Sequence, residues 1–339
     1  MANFYTDNPD LKHHLTHPLM QKIVALKERD FTDAEKYDYA PLDFEDAMDS
    51  YDKVLEVVGE ICGTTIADNA EDVDHQGPKV VDGHVEYADG TKQNLELCRK
   101  AGLMGMSMPR RLGGLNFPIT PYIMAADIVS RADTGFENLW GLQDCAETIY
   151  EFASEEQKDR FIPRVCQGET MSMDLTEPDA GSDLQSVMLK ATEPPDGTWR
   201  LNGVKRFITN GDTASTYVVF AVTDKTKGLK GISLFVVEKG TPGFSTGLHE
   251  KKMGIRGSST TDLIFEDCRI PAGNLIGKEG QGWKICMHTL NGARAGVAAQ
   301  ALGIGEGALD LAMKYVQERM QFKKKLSKFQ RTQFEIADM

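Results

Sequence analysis

From Phe44 the apolar positions Ala47, Met48, Tyr51, Val54, Leu55, Val58 and Ile61 recur at the spacing of one helix face, and Gly63 is placed to stop that helix. The stripe predicts a core helix with little room for chemistry. Before it, Leu19, Met20, Ile23 and Leu26 predict one shorter helix beginning near Pro18, followed by an acidic, Tyr-rich connector. Residues 1–44 read as an N-terminal extension. The pattern breaks between His75 and Gln93, where Val80 to Val85 around Asp82-Gly83 predicts a small hairpin inserted between two helices. Helical spacing returns over Leu95–Leu103 and over Pro121–Arg131. A further helix starts at the capping box Ser154-Glu155-Glu156-Gln157, is broken or kinked at Pro163 and closes at Gly168. Residues 45–171 are therefore expected to form an N-terminal helical domain with a hairpin insertion near 75–93.

After Met171 the period switches to two. Trp199-Arg200-Leu201 and Val204 to Phe207 flank Asn202-Gly203, a strong hairpin signal, and strands follow at Tyr217–Thr223, Ile232–Glu238 and Thr261–Phe265. Residues 172–282 read as a middle β domain. Helix returns near Trp283 and persists, so 283–339 reads as the first part of a C-terminal helical domain. Glycines there cost about 1 kcal/mol each against Ala in a free helix. Gly292, Gly296, Ala299, Gly303 and Gly307 share one face, which predicts close approach of another helix. Gly303-Ile304-Gly305-Glu306-Gly307 is not a dinucleotide fingerprint, because no strand precedes it and the third Gly is misplaced.

Two segments carry candidate chemistry. In Met173-Asp174-Leu175-Thr176-Glu177-Pro178-Asp179-Ala180-Gly181-Ser182-Asp183 a strand-like run ends at Thr176, Pro178 fixes the backbone, and Ala180-Gly181-Ser182 offers amide donors and a hydroxyl to an anion. In Arg206-Phe207-Ile208-Thr209-Asn210-Gly211, Thr209 sits where a strand yields to an Asn-Gly turn. Glu177 reads as fixing its own loop. The two segments resemble the acyl-CoA dehydrogenase family, whose first flavin segment reads TEPxAGSD and whose second ends in an aromatic residue, Ile and Thr. Further stretches carry the same resemblance: Ala101-Gly102-Leu103, Lys252-Met253-Gly254-Ile255-Arg256, and Phe265-Glu266-Asp267 with Pro271. The extension and the hairpin near Asp82 are more similar to the enlarged subfamily that includes methylmercaptopropionyl-CoA dehydrogenases.

The resemblance implies an α+β multidomain fold: an N-terminal helical domain, a middle β-barrel-like domain and the start of a C-terminal four-helix bundle. It implies FAD bound by Met173, Asp174, Leu175, Thr176, Gly181 and Ser182, with Phe207, Ile208 and Thr209 covering the rest of the ring. Ser182, Asn291 and Arg294 would contact the acyl-CoA, Arg294 as a buried cation near the substrate or in a supporting ion pair. Asn291 stands where many relatives have Asp, and Ala293 where some carry the catalytic Glu. Arg319, Phe322 and Gln330 match elements that usually touch the FAD of a neighbouring subunit; the adjoining Lys323-Lys324-Lys325 run is either a solvated helix end or a phosphate partner. The catalytic residue is unassigned. Phe329 to Met339 runs into an amphipathic pattern with no cap, Gly or Pro, so a chain cut mid-helix is expected, with its base Glu beyond Met339. The implied activity is oxidation of a saturated acyl-CoA to the 2-enoyl-CoA, in fatty acid β-oxidation, with an electron-transferring flavoprotein or similar acceptor. A flavin-dependent acyl-CoA oxidase or monooxygenase on the same fold, and a flavin- or acyl-CoA-binding protein without turnover, stand as alternatives.

Composition narrows the class further. The 339 residues carry a net charge of −13, with Asp+Glu at 51 against Lys+Arg at 38, so there is no basic footprint for nucleic acid or an anionic membrane surface. The six cysteines are far apart and include no CxxC pair, which points to reduced thiols in a cytoplasmic protein. A polar, acidic N-terminus argues against a signal peptide, and no run approaches the ~20 apolar residues of a membrane span. His13, His14 and His17 are expected in a disordered terminus, with no metal. A homodimer or homotetramer is the expected assembly.

Overall fold

The N-terminal extension is built into the helical core. In the computed structural model, which describes residues 2–339, it forms α1 (Pro9–Leu15) and α2 (Met20–Glu28). Leu11, Leu15, Met20 and Val24 are buried in the same cluster as Tyr51, Leu55 and Trp140. The histidines of this segment therefore lie on and beside an ordered helix, contrary to the expected disorder. Leu19 and Leu26 point outward, because Val24 and not Leu26 continues the buried face.

Helix α3 (Phe44–Ile61) does not stop at Gly63. It passes through a π turn at Cys62–Ile66 into α4 (Ala67–Gln76), which ends at Gly77 with φ +58°. Gly63 serves a close approach instead: a Cβ there would lie 2.6 Å from the Ala2 carbonyl oxygen. The hairpin of β1 (Lys79–Val81) and β2 (His84–Glu86) turns at Asp82-Gly83, as the pattern predicts. Helices α5 (Asp89–Lys100), α6 (Ile119–Ala132), α7 (Thr134–Trp140), α8 (Cys145–Phe152) and α9 (Glu155–Cys166) complete this part. The Ser154/Gln157 capping box forms, and α9 runs through Pro163. Only the carbonyl one turn back loses its donor there, and Asp159, which carries it, is exposed.

The β part contains β3 (Met171–Asp174), β4 (Lys190–Thr192), β5 (Thr198–Thr209), β6 (Thr216–Val222), β7 (Ile232–Glu238), β8 (Phe244–His249), β9 (Thr260–Pro271) and β10 (Leu275–Ile276). They make one sheet in the order β10-β7-β6-β4-β5-β9-β8, with β3 parallel on β6. Strand alternation sends Val218, Phe220, Leu234 and Val236 toward the helices. Tyr217, Val219, Phe235 and Val237 meet Trp199, Leu201, Leu263 and Phe265 on the other side, so the sheet wraps over its own second core.

Asn202-Gly203 is a bulge and not a hairpin turn. Strand β5 runs straight through it, because its two halves pair with the same strand β9 and not with each other. The Asn202 side-chain oxygen accepts the Asp267 N–H at 2.8 Å. Gly203, at φ +140°, passes so close to Leu189 that a Cβ would sit 3.0 Å from its Cα. The signal marked a position that needs glycine, and the fold used it for close packing.

The 37-residue helix α10 (Gly282–Glu318) then lies against α6, followed by the short hairpin β11 (Met320–Gln321) and β12 (Lys324–Lys325) and by α11 (Gln330–Asp338). The predicted small-residue face is used most tightly at Gly303 and Gly307, which meet the α6 backbone, while nothing lies within 4 Å of a Cβ at Gly292. All six cysteines are unpaired, five of them buried. Among the described residues no helix is long and apolar enough to cross a membrane.

Candidate functional site

Strand β3 leads the chain from the sheet into the first segment. Its alternation turns Asp174 fully into the core and leaves Met173 partly open, and Leu175 and Thr176 follow half-buried. Glu177 and Ala180 then close a tight turn through reciprocal N–H to carbonyl bonds of 2.9 and 3.1 Å, which sets Gly181 and Ser182 at the exposed rim. The Glu177 carboxylate accepts the main-chain N–H groups of Met188 at 2.6 Å and Leu189 at 3.0 Å, so it does fix its own loop.

The second segment lies directly beside the first. Arg206 N–H donates to the Thr176 carbonyl at 2.8 Å, and the Lys205 ammonium donates to the Leu175 carbonyl at 3.0 Å. Between Lys205 and Ile208 the β5 register on β9 shifts, with Phe207 in the left-handed region at φ +58°. The bulge pushes the Phe207 ring outward, 55% exposed, under the Arg206 guanidinium at 5.0 Å, while Ile208 points into the core. Thr209 ends the strand. The turn after it is held by buried Asn210, whose side chain accepts from the Tyr87 hydroxyl at 2.8 Å and from Thr213, and donates to the Met171 carbonyl at 3.2 Å. That last bond ties the second segment back to the start of the first.

Two cavities flank the pair. One, of about 370 Å³, has Phe207, Thr209, Asn138, Lys251 and Lys252 in its wall. Burial pushes the Lys252 ammonium down to about 8. The other, of about 270 Å³, is walled by Met173, Thr148, Thr289 and Ala293 together with the charged Lys27, Glu147 and Glu151. The Thr148 and Thr289 hydroxyls meet at 2.8 Å and join α8 to α10 across it.

These surroundings fit FAD. An exposed aromatic face and a thioether suit a flat ring, the Thr hydroxyls suit its polar edge, and a Cβ at Gly181 would find no atom within 4 Å, leaving that rim open to a bulky anion. Met173, Leu175, Thr176, Gly181, Ser182, Phe207 and Thr209 are thus gathered in one region. Asp174 and Ile208 share it only through their main chains, since both side chains are buried. Asn291 and Arg294 lie on α10, beside the cavity residues Gly292 and Ala293. Arg294 is exposed and bonded to Asn291, not buried as expected, because it projects from the uncovered side of α10. Arg319, Phe322 and Gln330 are exposed; Arg319 closes α10, about 45 Å along the helix from Thr289 at 1.5 Å per residue, and the other two follow beyond it. Lys27, Glu147 and Lys205 carry no local motif, so periodicity and spacing did not single them out.

Buried acids lie beneath α10. Burial pushes Asp127 up to about 7, Asp144 to about 7 and Glu137 to about 8. Asp127 faces Glu306 and Arg131; Asp144 faces Tyr122 and Glu147; Glu137 faces Asp144 and Gln300. In the unfolded chain such carboxyls ionise near pH 4, so over the interval above that the folded state binds more protons. Their contribution is complete at low pH and is lost as pH rises through about 7 to 8. The thermal midpoint is therefore expected to fall between about pH 6 and about pH 7.5, read by calorimetry. An equal or higher midpoint at the upper pH would contradict this burial.

A helical part, a sheet with a second core of its own and a long helix meeting at one cleft define the acyl-CoA dehydrogenase-like fold. The family's N-terminal domain matches residues 49–169, its middle domain 172–268 and its C-terminal domain 280–339. The chain belongs to the acyl-CoA dehydrogenase family. It is 44% identical over 273 residues to an acryloyl-CoA reductase (NADH) of Anaerotignum propionicum, covering 80% of this chain and 66% of that protein. It is 43% identical over 254 residues to a short-chain specific acyl-CoA dehydrogenase of Megasphaera elsdenii, covering 73% of this chain and 66% of the relative. The structure of butyryl-CoA dehydrogenase from Megasphaera elsdenii superposes with a TM-score of 0.77 at 39% identity, over 85% of this chain and 74% of that one. The chain thus spans about two thirds of the length of the curated relatives it matches.

Proposed function

We propose that this protein binds FAD between the Met173–Ser182 segment and the Phe207–Thr209 bulge, and serves the oxidation of a saturated acyl-CoA thioester to the 2-enoyl-CoA. The observation that carries the reading is the junction of the two segments: Arg206 N–H on the Thr176 carbonyl sets them edge to edge at 2.8 Å. Bound there, the flavin would supply the hydride acceptor. The chain's own residues hold and orient. Phe207 offers a ring face, Thr176 and Thr209 offer hydroxyls to a polar edge, and the Gly181-Ser182 rim offers main-chain and hydroxyl donors to a phosphate. The Met173 cavity between α8 and α10 gives the acyl group a place beside the ring. Ala293 at that wall brings no proton acceptor.

The length of α10 supports an assembly of more than one copy. Arg319 closes α10 about 45 Å along the helix from the cavity residue Thr289, which supports the reading that Arg319, Phe322 and Gln330 serve the flavin of a second copy, in a homodimer or homotetramer. An electron-transferring flavoprotein or similar carrier is the proposed acceptor, and the cytoplasm the proposed compartment. Anaerobic addition of straight-chain acyl-CoAs to the flavin-loaded protein tests the reaction. Bleaching of the flavin colour is expected; a flavin-replete protein that no acyl-CoA bleaches would reduce the reading to a binding protein.

A further inference from the structure

Lys205 is completely buried, two residues before the exposed Phe207. Its ammonium donates to the Glu177 carboxylate at 2.8 Å and to the Leu175 carbonyl at 3.0 Å. Asp174 and the Cys286 thiol complete its surroundings. Glu177, only 6% exposed, spends its remaining acceptor capacity on the Met188 and Leu189 N–H groups. As a source of stability such a pair is a poor choice, because two charges taken out of water return little more than a well-packed aliphatic pair would.

What an aliphatic pair cannot do is hold a peptide plane at one rotation. The Leu175–Thr176 peptide is trans, so its carbonyl and its N–H point in opposite directions. With Lys205 gripping the carbonyl from the core, the Thr176 N–H is fixed on the outward side of the loop. A charge on the carbonyl also polarises the peptide and strengthens its N–H as a donor. The next peptide is pinned as well, by Arg206 N–H on the Thr176 carbonyl. Both planes flanking Thr176 are thus set from β5, by the two residues that open the Phe207 bulge.

We propose that Lys205 is the positioning residue of the flavin site, aiming the Leu175–Thr176 peptide at the polar edge of the ring and locking that loop to the bulge that covers it. The inference rests on the reading that these segments hold FAD. It is tested by removing flavin and titrating it back into wild type, Lys205→Met, Lys205→Arg and the double variant Lys205→Met/Glu177→Met, following affinity and the positions of the bound flavin's absorption bands. The double variant removes the two charges of the pair together and is expected to stay folded in a urea titration, yet to bind flavin about tenfold more weakly with displaced bands. Lys205→Arg is expected to recover part of both. A folded double variant with wild-type affinity and bands overturns the proposal. If the double variant does not fold, the single variant Lys205→Met decides, since it removes the donor and keeps Glu177 on the Met188 and Leu189 N–H groups: unchanged bands and affinity overturn the proposal, and displaced bands sustain it. Wild type that binds no flavin overturns the reading of the site itself, a result distinct from a wild type that binds and a variant that binds equally well.

Discussion

Replacing Arg110 by Met is expected to destabilise the helical part by about 3–5 kcal/mol, lowering the thermal midpoint by about 5 °C. The guanidinium is 2% exposed and grips the Glu28 carboxylate, itself 1% exposed, through two bonds of 2.6 and 3.0 Å. Glu28 also takes the Tyr51 hydroxyl at 3.0 Å and the Asn116 amide at 3.3 Å. One carboxylate therefore ties the end of α2 to α3 and to the turn before α6. Without Arg110, Glu28 keeps two neutral donors and no counter-charge, and an uncompensated buried charge is among the costliest defects a core can carry. Combining Arg110→Met with Glu28→Leu should recover much of the loss, because the desolvation cost of both charges goes with them. A single variant as stable as wild type in calorimetry would show that this ion pair is not the clasp between the extension and the helical core.

Gly303→Val should cost about 3 kcal/mol, and Gly305→Ala should instead stabilise by up to about 1 kcal/mol. The two glycines stand on opposite sides of α10. A Cβ at Gly303 would lie 2.4 Å from the Asp127 carbonyl oxygen and 2.8 Å from the Arg131 nitrogen of α6, whereas nothing lies within 4 Å of one at Gly305. Backbone cannot step aside as a flexible side chain can. The valine has to part the helices, which stretches the Ser130 hydroxyl bond to the Gln300 carbonyl, 2.7 Å, and the Arg131–Asp310 pair, also 2.7 Å. At Gly305 alanine merely removes the entropic penalty of glycine in a helix. Chemical denaturation of the two variants reads the difference directly, and equal effects would mean that α10 is not seated on α6 as described.

The order of helices, sheet and helix was legible because each part keeps one hydrophobic period over many residues. The α3 stripe, the Ser154 capping box and the Asp82-Gly83 turn are local signals that the fold leaves intact. Glycine and proline misled where their local meaning was overridden by a distant partner. Gly63 reads as a stop and serves Ala2; Gly203 reads as a turn and serves Leu189. The two segments of the proposed flavin site are legible as motifs, but the groups holding them are not. Lys205 and Glu177 are 28 residues apart, and Asn210 reaches back 39 residues to Met171. Such pairings come from strand order, which periodicity does not encode.

Two segments thirty residues apart are proposed to make one flavin cradle. Titrating FAD into the wild-type chain and into Thr209→Ala and Ser182→Ala tests it most directly. Saturable binding is predicted for wild type, with displaced absorption bands in Thr209→Ala and weaker retention in Ser182→Ala by about fivefold, the worth of about 1 kcal/mol of lost hydrogen bonding. No binding by wild type, or the same bands and affinity in all three proteins, would contradict the claim and leave the two segments as turns of a β domain.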